Sequence, residues 1–285
     1  MQTCIWDIDG LRLSGLHLVR PERKEFFMVL PVKDTIIYGP VNSRRLGKSL
    51  GINLLPHRKK YCDFDCLYCH YGRTRYHRLK PLESDIFPGV ETVLQKVEEA
   101  LKSEIEFNYL TFSGNGEPTL HPEFKKLAYE CHRLARQIRP RVKVTLLSNS
   151  STCTSGKVIE ATEYIDLPIM KLDAGNAELF GKINKPAAGI DFDEIVEGLS
   201  CLKDITIQTL FLAGDPDNST IDAVNDWYSC LYRIKPVDVQ IYTLDRPFAG
   251  MAENGRVNID KVNNNRMEEI AKIGRLQYGL NISRY

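Results

Sequence analysis

From residue 49 almost to the C-terminus, short apolar runs with strand character alternate with segments of helical periodicity. Residues 49–54, 107–113, 142–147, 167–173, 205–212 and 237–244 are short, bounded and rich in β-branched or aromatic residues, as strands are. Between them apolar residues recur every three or four positions, as in Val90, Val93, Leu94, Val97 and Leu101, or Phe124, Leu127, Ala128, Cys131, Leu134, Ala135 and Ile138. Phe192, Ile195, Val196 and Leu199 make another such stripe, as do Trp227, Cys230, Leu231 and Ile234. Shorter evidence predicts helices over 156–162 and 259–277, and the helix after the fifth strand is expected to open at Ser219, with Asp222 three residues on as its capping partner. Strands that return at intervals of roughly 25 to 38 residues leave room for crossover helices, which makes them parallel. The fold class is therefore α/β with six parallel strands, and periodicity alone does not choose between an open doubly wound sheet and a barrel.

A second constraint is chemical. Tyr61-Cys62-Asp63-Phe64-Asp65-Cys66-Leu67-Tyr68-Cys69-His70 holds three of the eight cysteines in a C-x3-C-x2-C spacing. Structural zinc and electron-transfer clusters normally take four protein ligands, whereas a metal that binds substrate keeps a position open. Three thiols fit the second case. A zinc knuckle completed by His57 or His70 is the rival reading. A disulfide is disfavoured because Met1 to Asp7 lacks the charged start and apolar run of a secretory signal. Cys4, Cys131, Cys153, Cys201 and Cys230 are scattered singly, and Cys131 and Cys230 fall on core-facing stripes.

Composition excludes little. The 285 residues, 43% hydrophobic and 26% charged, suit one large α/β domain or two small ones. A net charge of +1 argues against a broadly basic nucleic-acid surface. No apolar run approaches the ~18 residues of a membrane span, so no membrane partner is expected and the cytoplasm is the default location. Residues 1–35 alternate charged and apolar residues and are expected to form a short N-terminal extension before a domain at 36–285.

Parallel α/β folds gather reactive groups at the carboxyl ends of their strands. There the chain places Gly114-Asn115-Gly116-Glu117-Pro118, Ser148-Asn149-Ser150, Lys171 with Asp173, Gln208, and Gln240 with Tyr242, Asp245 and Arg246. Glycines allow positive φ and close approach to a ligand, and Glu117 offers a carboxylate to a cation; the same residues also make ordinary turns and caps. Polar side chains inside a barrel are costly unless paired, which marks Gln208 and Gln240 as site candidates. Arg44, Arg45, Lys48, Arg58, Lys59 and Lys60 precede the cysteines, and Arg73, Arg75, His77 and Arg78 follow them. These bases suit an anionic substrate, the phosphates of an RNA, or plain solvation.

The cysteine spacing, with Tyr68 just before the last cysteine, resembles the radical S-adenosylmethionine (SAM) enzymes. The run from Tyr38 to Ile52, together with Gly72-Arg73-Thr74, is similar to the subgroup that includes the tRNA wybutosine-synthesising radical enzyme and its uncharacterised single-cluster relatives. The likeness covers roughly residues 36 to 280. It implies a partial (β/α)6 TIM-like barrel of parallel strands with outer helices, and a [4Fe–4S] cluster on Cys62, Cys66 and Cys69. It also implies S-adenosyl-L-methionine, with Tyr68 beside the adenine, Gly114, Asn115, Gly116 and Glu117 around the methionine amino group, Ser148 and Asn149 at its carboxylate or ribose, and Asp173 and Gln208 as further contacts. Asn115 departs from the family's glycine at the middle of that motif. The implied activity is reductive cleavage of SAM to a 5′-deoxyadenosyl radical that abstracts hydrogen from a substrate the sequence does not name. Narrower alternatives are a tRNA-modifying, wyosine-type member or a glycyl-radical-activating one; from another class, a non-catalytic zinc or iron–sulfur module. Only Cys4 precedes Cys62, which points to a single cluster. The electron is expected from a separate donor such as flavodoxin or ferredoxin. Asp63 and Asp65 are expected to add negative charge and so lower the cluster potential.

Overall fold

The computed structural model describes residues 30–55, 59–74, 76–78, 86–245, 251–252, 255–256 and 258–285. Most of the expected extension, and His57, Arg58, Arg75 and Arg246, lie outside these residues. The strands are β1 (Ile37–Ser43), β2 (Gly47–Ile52), β3 (Tyr61–Cys62), β4 (Tyr76–His77), β5 (Tyr109–Phe112), β6 (Lys143–Ser148), β7 (Leu167–Lys171), β8 (Thr206–Asp215), β9 (Asp238–Thr243), β10 (Met251–Ala252), β11 (Gly255–Arg256), β12 (Asn258–Lys261) and β13 (Ile282–Arg284). The helices are α1 (Val90–Lys102), α2 (Phe124–Ile138), α3 (Gly156–Thr162), α4 (Ala177–Asn184), α5 (Phe192–Cys201), α6 (Ile221–Ile234) and α7 (Asn264–Gln277).

Among the described residues the main sheet runs β1-β2-β5-β6-β7-β8-β9-β13, with β12 on the end of β8. The six predicted strands are its parallel centre, β2, β5, β6, β7, β8 and β9. Helices follow strands as crossovers and bury one stripe each against the sheet, Val93, Val97 and Leu101 from α1 and Leu127, Cys131 and Ala135 from α2. The sheet path has two ends, β1 and β13, and no pairing joins them among the described residues.

Several boundaries differ from expectation for local reasons. The helix after β8 opens at Thr220, whose Oγ1 accepts the Ala223 N–H, while the Ser219 hydroxyl donates to Asp217. The last helix starts at Asn264, capped by Asn263; residues 258–261 pair antiparallel with β8 instead. Periodicity also passed over α4, the antiparallel β1 and the parallel β13. Residues 30–36 are tied to the barrel top: Leu30 N donates to His70 O, and Ile36 O accepts from Asn53 N.

Register sets the interior. Lys171, Gln208 and Gln240 are partners across β7, β8 and β9, so their side chains share one face, and Gln208 Nε2 donates to Gln240 Oε1 at 3.1 Å. Burial of both amides, each the other's partner, is how the barrel interior accommodates them.

Candidate active site

The cysteine loop is fastened on two sides. On one, β3 lies against the glycine motif: Tyr61 N donates to Asn115 O at 2.6 Å and Glu117 N to Tyr61 O at 3.0 Å. Gly116 has φ 145°, and a Cβ there would stand 1.7 Å from Tyr61 O. Only glycine lets the loop lie this close. On the other side the segment after α4 runs antiparallel to the loop, with Asp65 N on Asn184 O at 3.0 Å, Leu67 N on Ile183 O at 3.0 Å and Ala187 N on Asp63 O at 2.8 Å. That segment turns because Lys185 adopts a left-handed φ of 44° directly before Pro186, which does not continue a helix.

Cys62, Cys66 and Cys69 are free thiols gathered around one buried cation. Lys60 is 7% exposed; burial pulls its pKa down, but the charges of Cys69, Cys62 and Cys66 outweigh this and raise it. Its Nζ donates to Gly72 O at 2.6 Å. Burial first, then the neighbouring acids, pushes Cys62 well above the usual thiol range, and burial with the Cys69 charge pushes Cys66 up to about 12. A metal bound here must displace these protons, so its uptake depends on pH. N–H donors already point at two sulfurs: Phe64 N at 3.5 Å and Asn149 Nδ2 at 3.6 Å from Cys62 Sγ, and Asn184 Nδ2 at 3.4 Å from Cys66 Sγ. Among the described residues no three His, Cys, Asp or Glu side chains lie close enough together to hold one metal ion.

Of the two acids expected to add negative charge, Asp63 does so at Cys62, whose pKa it helps to raise, while Asp65 is paired. Asp65 meets Arg73 at 3.2 Å and Lys60 at 3.9 Å, so its charge is offset, and it accepts Thr74 N at 2.8 Å. Asp63 is buried, which raises its pKa, and its Oδ1 accepts Asn149 Nδ2 at 2.6 Å.

The strand-end residues converge on this loop in unequal ways. Glu117 is buried, accepting Thr119 N at 3.1 Å and Asn149 N at 2.6 Å; burial, then Asp63, raises its pKa to about 7. Ser148 Oγ accepts Ser150 N at 3.0 Å. Asp173 receives Lys171 Nζ and Leu210 N on Oδ1, each at 2.8 Å, and Tyr68 Oη and Asn184 Nδ2 on Oδ2, so it anchors the loop to β7 and β8. Gly114 also has positive φ, 128°, beside Asn53. Asn115 is a correction: its carboxamide is taken in both directions by the Lys33 backbone, at 2.6 and 2.7 Å, so its side chain clamps residues 30–36 and is not turned to a ligand. Sequence reasoning missed Lys60 as a site residue and Asn184 altogether; an Asn-Lys-Pro helix end signals a C-cap, but nothing local signals that it closes over cysteines 118 positions away.

A cavity of about 910 Å³ lined by Lys48, Phe107, Arg139 and Arg141 lies at the opposite, amino-terminal ends of β2 and β6 and plays no part in this site.

The sequence profile of the radical SAM superfamily matches residues 59–225. The chain belongs to the radical SAM superfamily. Members of this family carry out SAM-dependent radical chemistry and bind SAM and a [4Fe–4S] cluster. Among curated proteins, the GTPase Obg of Brachyspira hyodysenteriae is 33% identical over 219 residues, 75% of this chain and 31% of that protein. A UPF0026 protein of Helicobacter pylori strain J99 is 33% identical over 223 residues, 74% of this chain and 67% of that protein. Among solved structures, that of TYW1 with a lysine-pyruvate adduct bound aligns with a TM-score of 0.57 at 15% identity, covering 81% of this chain and 74% of that one. The open, mostly parallel sheet with outer helices is the partial TIM barrel of radical SAM proteins.

Proposed function

We propose that this radical SAM protein holds a [4Fe–4S] cluster on Cys62, Cys66 and Cys69 and cleaves SAM reductively, producing a 5′-deoxyadenosyl radical that takes hydrogen from a substrate. The observation that carries this reading is the three-thiol loop, strapped on both sides, with N–H donors on two of its sulfurs. When bound, the cluster supplies one electron to the SAM sulfonium, which parts into methionine and the radical.

The protein's own residues orient and shield. Gly114, Gly116 and Glu117 with Ser148 and Asn149 form the wall for the methionine moiety, while Tyr68, Asp173 and Gln208 line the side toward the nucleoside. Phe64 and Phe180, edge to face at 5.3 Å, help keep water from the sulfurs. Lys60 offsets part of the negative charge that three thiolates bring. A separate donor such as flavodoxin or ferredoxin delivers the electron.

Anaerobic reconstitution with iron and sulfide tests the reading. About four irons per chain and 5′-deoxyadenosine on reduction with dithionite are expected, and Cys66→Ala should lose both while staying folded by circular dichroism. Bound zinc without SAM cleavage would reject the enzyme.

A further inference from the structure

The cofactor site leaves unused the run Ser43-Arg44-Arg45-Leu46. It forms the tip of the β1–β2 hairpin at one edge of the sheet, yet both arginines reach the far side of the sheet path. Arg44 pairs with Asp245 just beyond β9, and the Arg45 guanidinium lies over the Tyr242 ring in β9, 4.6 Å from its centroid. The tip therefore reaches across the gap between the two ends of the unclosed sheet path, from the β1–β2 hairpin to β9. Tyr242 in turn accepts Lys171 Nζ on its hydroxyl at 2.9 Å, and that ammonium lies 5.1 Å from the Tyr68 ring centroid. Tyr68, Lys171, Tyr242 and Arg45 thus form a file from the cysteine loop to the gap.

Charge along this file is uneven. Lys171 is matched by Asp173 and Arg44 by Asp245, whereas no carboxylate among the described residues pairs with Arg45. Its position is nonetheless fixed. Ser43 Oγ accepts the N–H groups of Arg45 at 3.2 Å and Leu46 at 3.1 Å, Leu46 is buried, and Tyr242 supports the guanidinium face. A guanidinium held by its face, with its planar fork of donors uncommitted among the described residues, suits an oxyanion recognised through two parallel hydrogen bonds.

We propose that Arg45 is the substrate's anion receptor: the enzyme takes a molecule bearing a carboxylate or phosphate, gripped by Arg45 at the gap with the rest of the molecule directed along Tyr242 and Lys171 toward the cysteine loop. The direction inward rests on the radical SAM reading; the anion site rests on the geometry alone.

The test titrates the reconstituted holoenzyme, with SAM present, calorimetrically with inorganic phosphate and with succinate. Wild type should bind at least one of them, the tighter identifying a phosphorylated or a carboxylate substrate. Arg45→Gln should weaken that binding at least about tenfold and Arg45→Lys less, because a point charge remains without the fork. Tyr242→Leu should weaken it too, and Arg141→Gln, at the opposite end of the barrel, should not. Equal binding by wild type and Arg45→Gln, or binding of neither anion by wild type, overturns the assignment. A wild type that makes no 5′-deoxyadenosine yet shows Arg45-dependent binding sinks the enzyme reading and supports the anion site.

Discussion

Gly116→Ala attacks the fastening of the cysteine loop without touching a cysteine. The new Cβ would stand 1.7 Å from Tyr61 O and 2.4 Å from its carbonyl carbon, where ordinary contact begins near 3.4 Å, and both are backbone atoms with no rotamer to yield. Strand β3 must therefore retreat by well over an ångström, which breaks the bonds from Tyr61 N to Asn115 O and from Glu117 N to Tyr61 O. Two backbone bonds at ~1 kcal/mol each and ~1–3 kcal/mol of strain at positive φ amount to about 3–5 kcal/mol. For a chain of this size that lowers Tm by roughly 5–8 °C if the loop holds, and by less if the loop gives way locally. Either route moves Cys62. The assay pairs thermal melting with iron content after anaerobic reconstitution, using Gly181→Ala as control, since a Cβ there meets nothing within 4 Å in the helix α4. The control should be neutral or slightly stabilising. A Gly116→Ala protein that melts like wild type and loads a full complement of iron refutes the reasoning.

Other outcomes follow from the same geometry. Glu117 has a folded pKa of about 7 against an ordinary 4.5, so the folded state binds the extra proton and stability falls as pH rises from 4.5 to 7; Glu117→Gln should remove roughly 3 kcal/mol of that slope in pH-dependent urea melts of metal-free protein. Asn184→Leu deletes the donor to Cys66 and to Asp173 and should drive the cluster potential more negative in an EPR-monitored titration; an unchanged potential would remove Asn184 from the site. Asn115→Ala frees the Lys33 backbone of two bonds and should make residues 30–35 markedly more sensitive to trypsin, with iron loading measured alongside. If cleavage rates match wild type, the clamp is not what holds that segment.

The parallel centre of the sheet was legible because its strands carry short runs buried on both faces, longest in β8, and the sites at strand ends follow from that topology. What periodicity missed lacks that signal. Asn258–Lys261 carries a single apolar residue, and α4 is short with Gly181 inside it. The cysteines announced themselves by spacing, whereas Lys60 and Asn184 acquire their roles only through contacts that tertiary structure creates. Asn115 shows the opposite limit: spacing picks out the motif, but the carboxamide serves Lys33, and only packing reveals which way a side chain is turned.

The two-sided fastening of the thiol loop bears on biogenesis. One tether lies at Gly116 and the other at residues 183–187, so neither hemisphere of the barrel alone defines the mutual placement of the three sulfurs. A cluster held by these thiols would favour chains in which both tethers are made, so metal uptake and completion of the fold would be coupled.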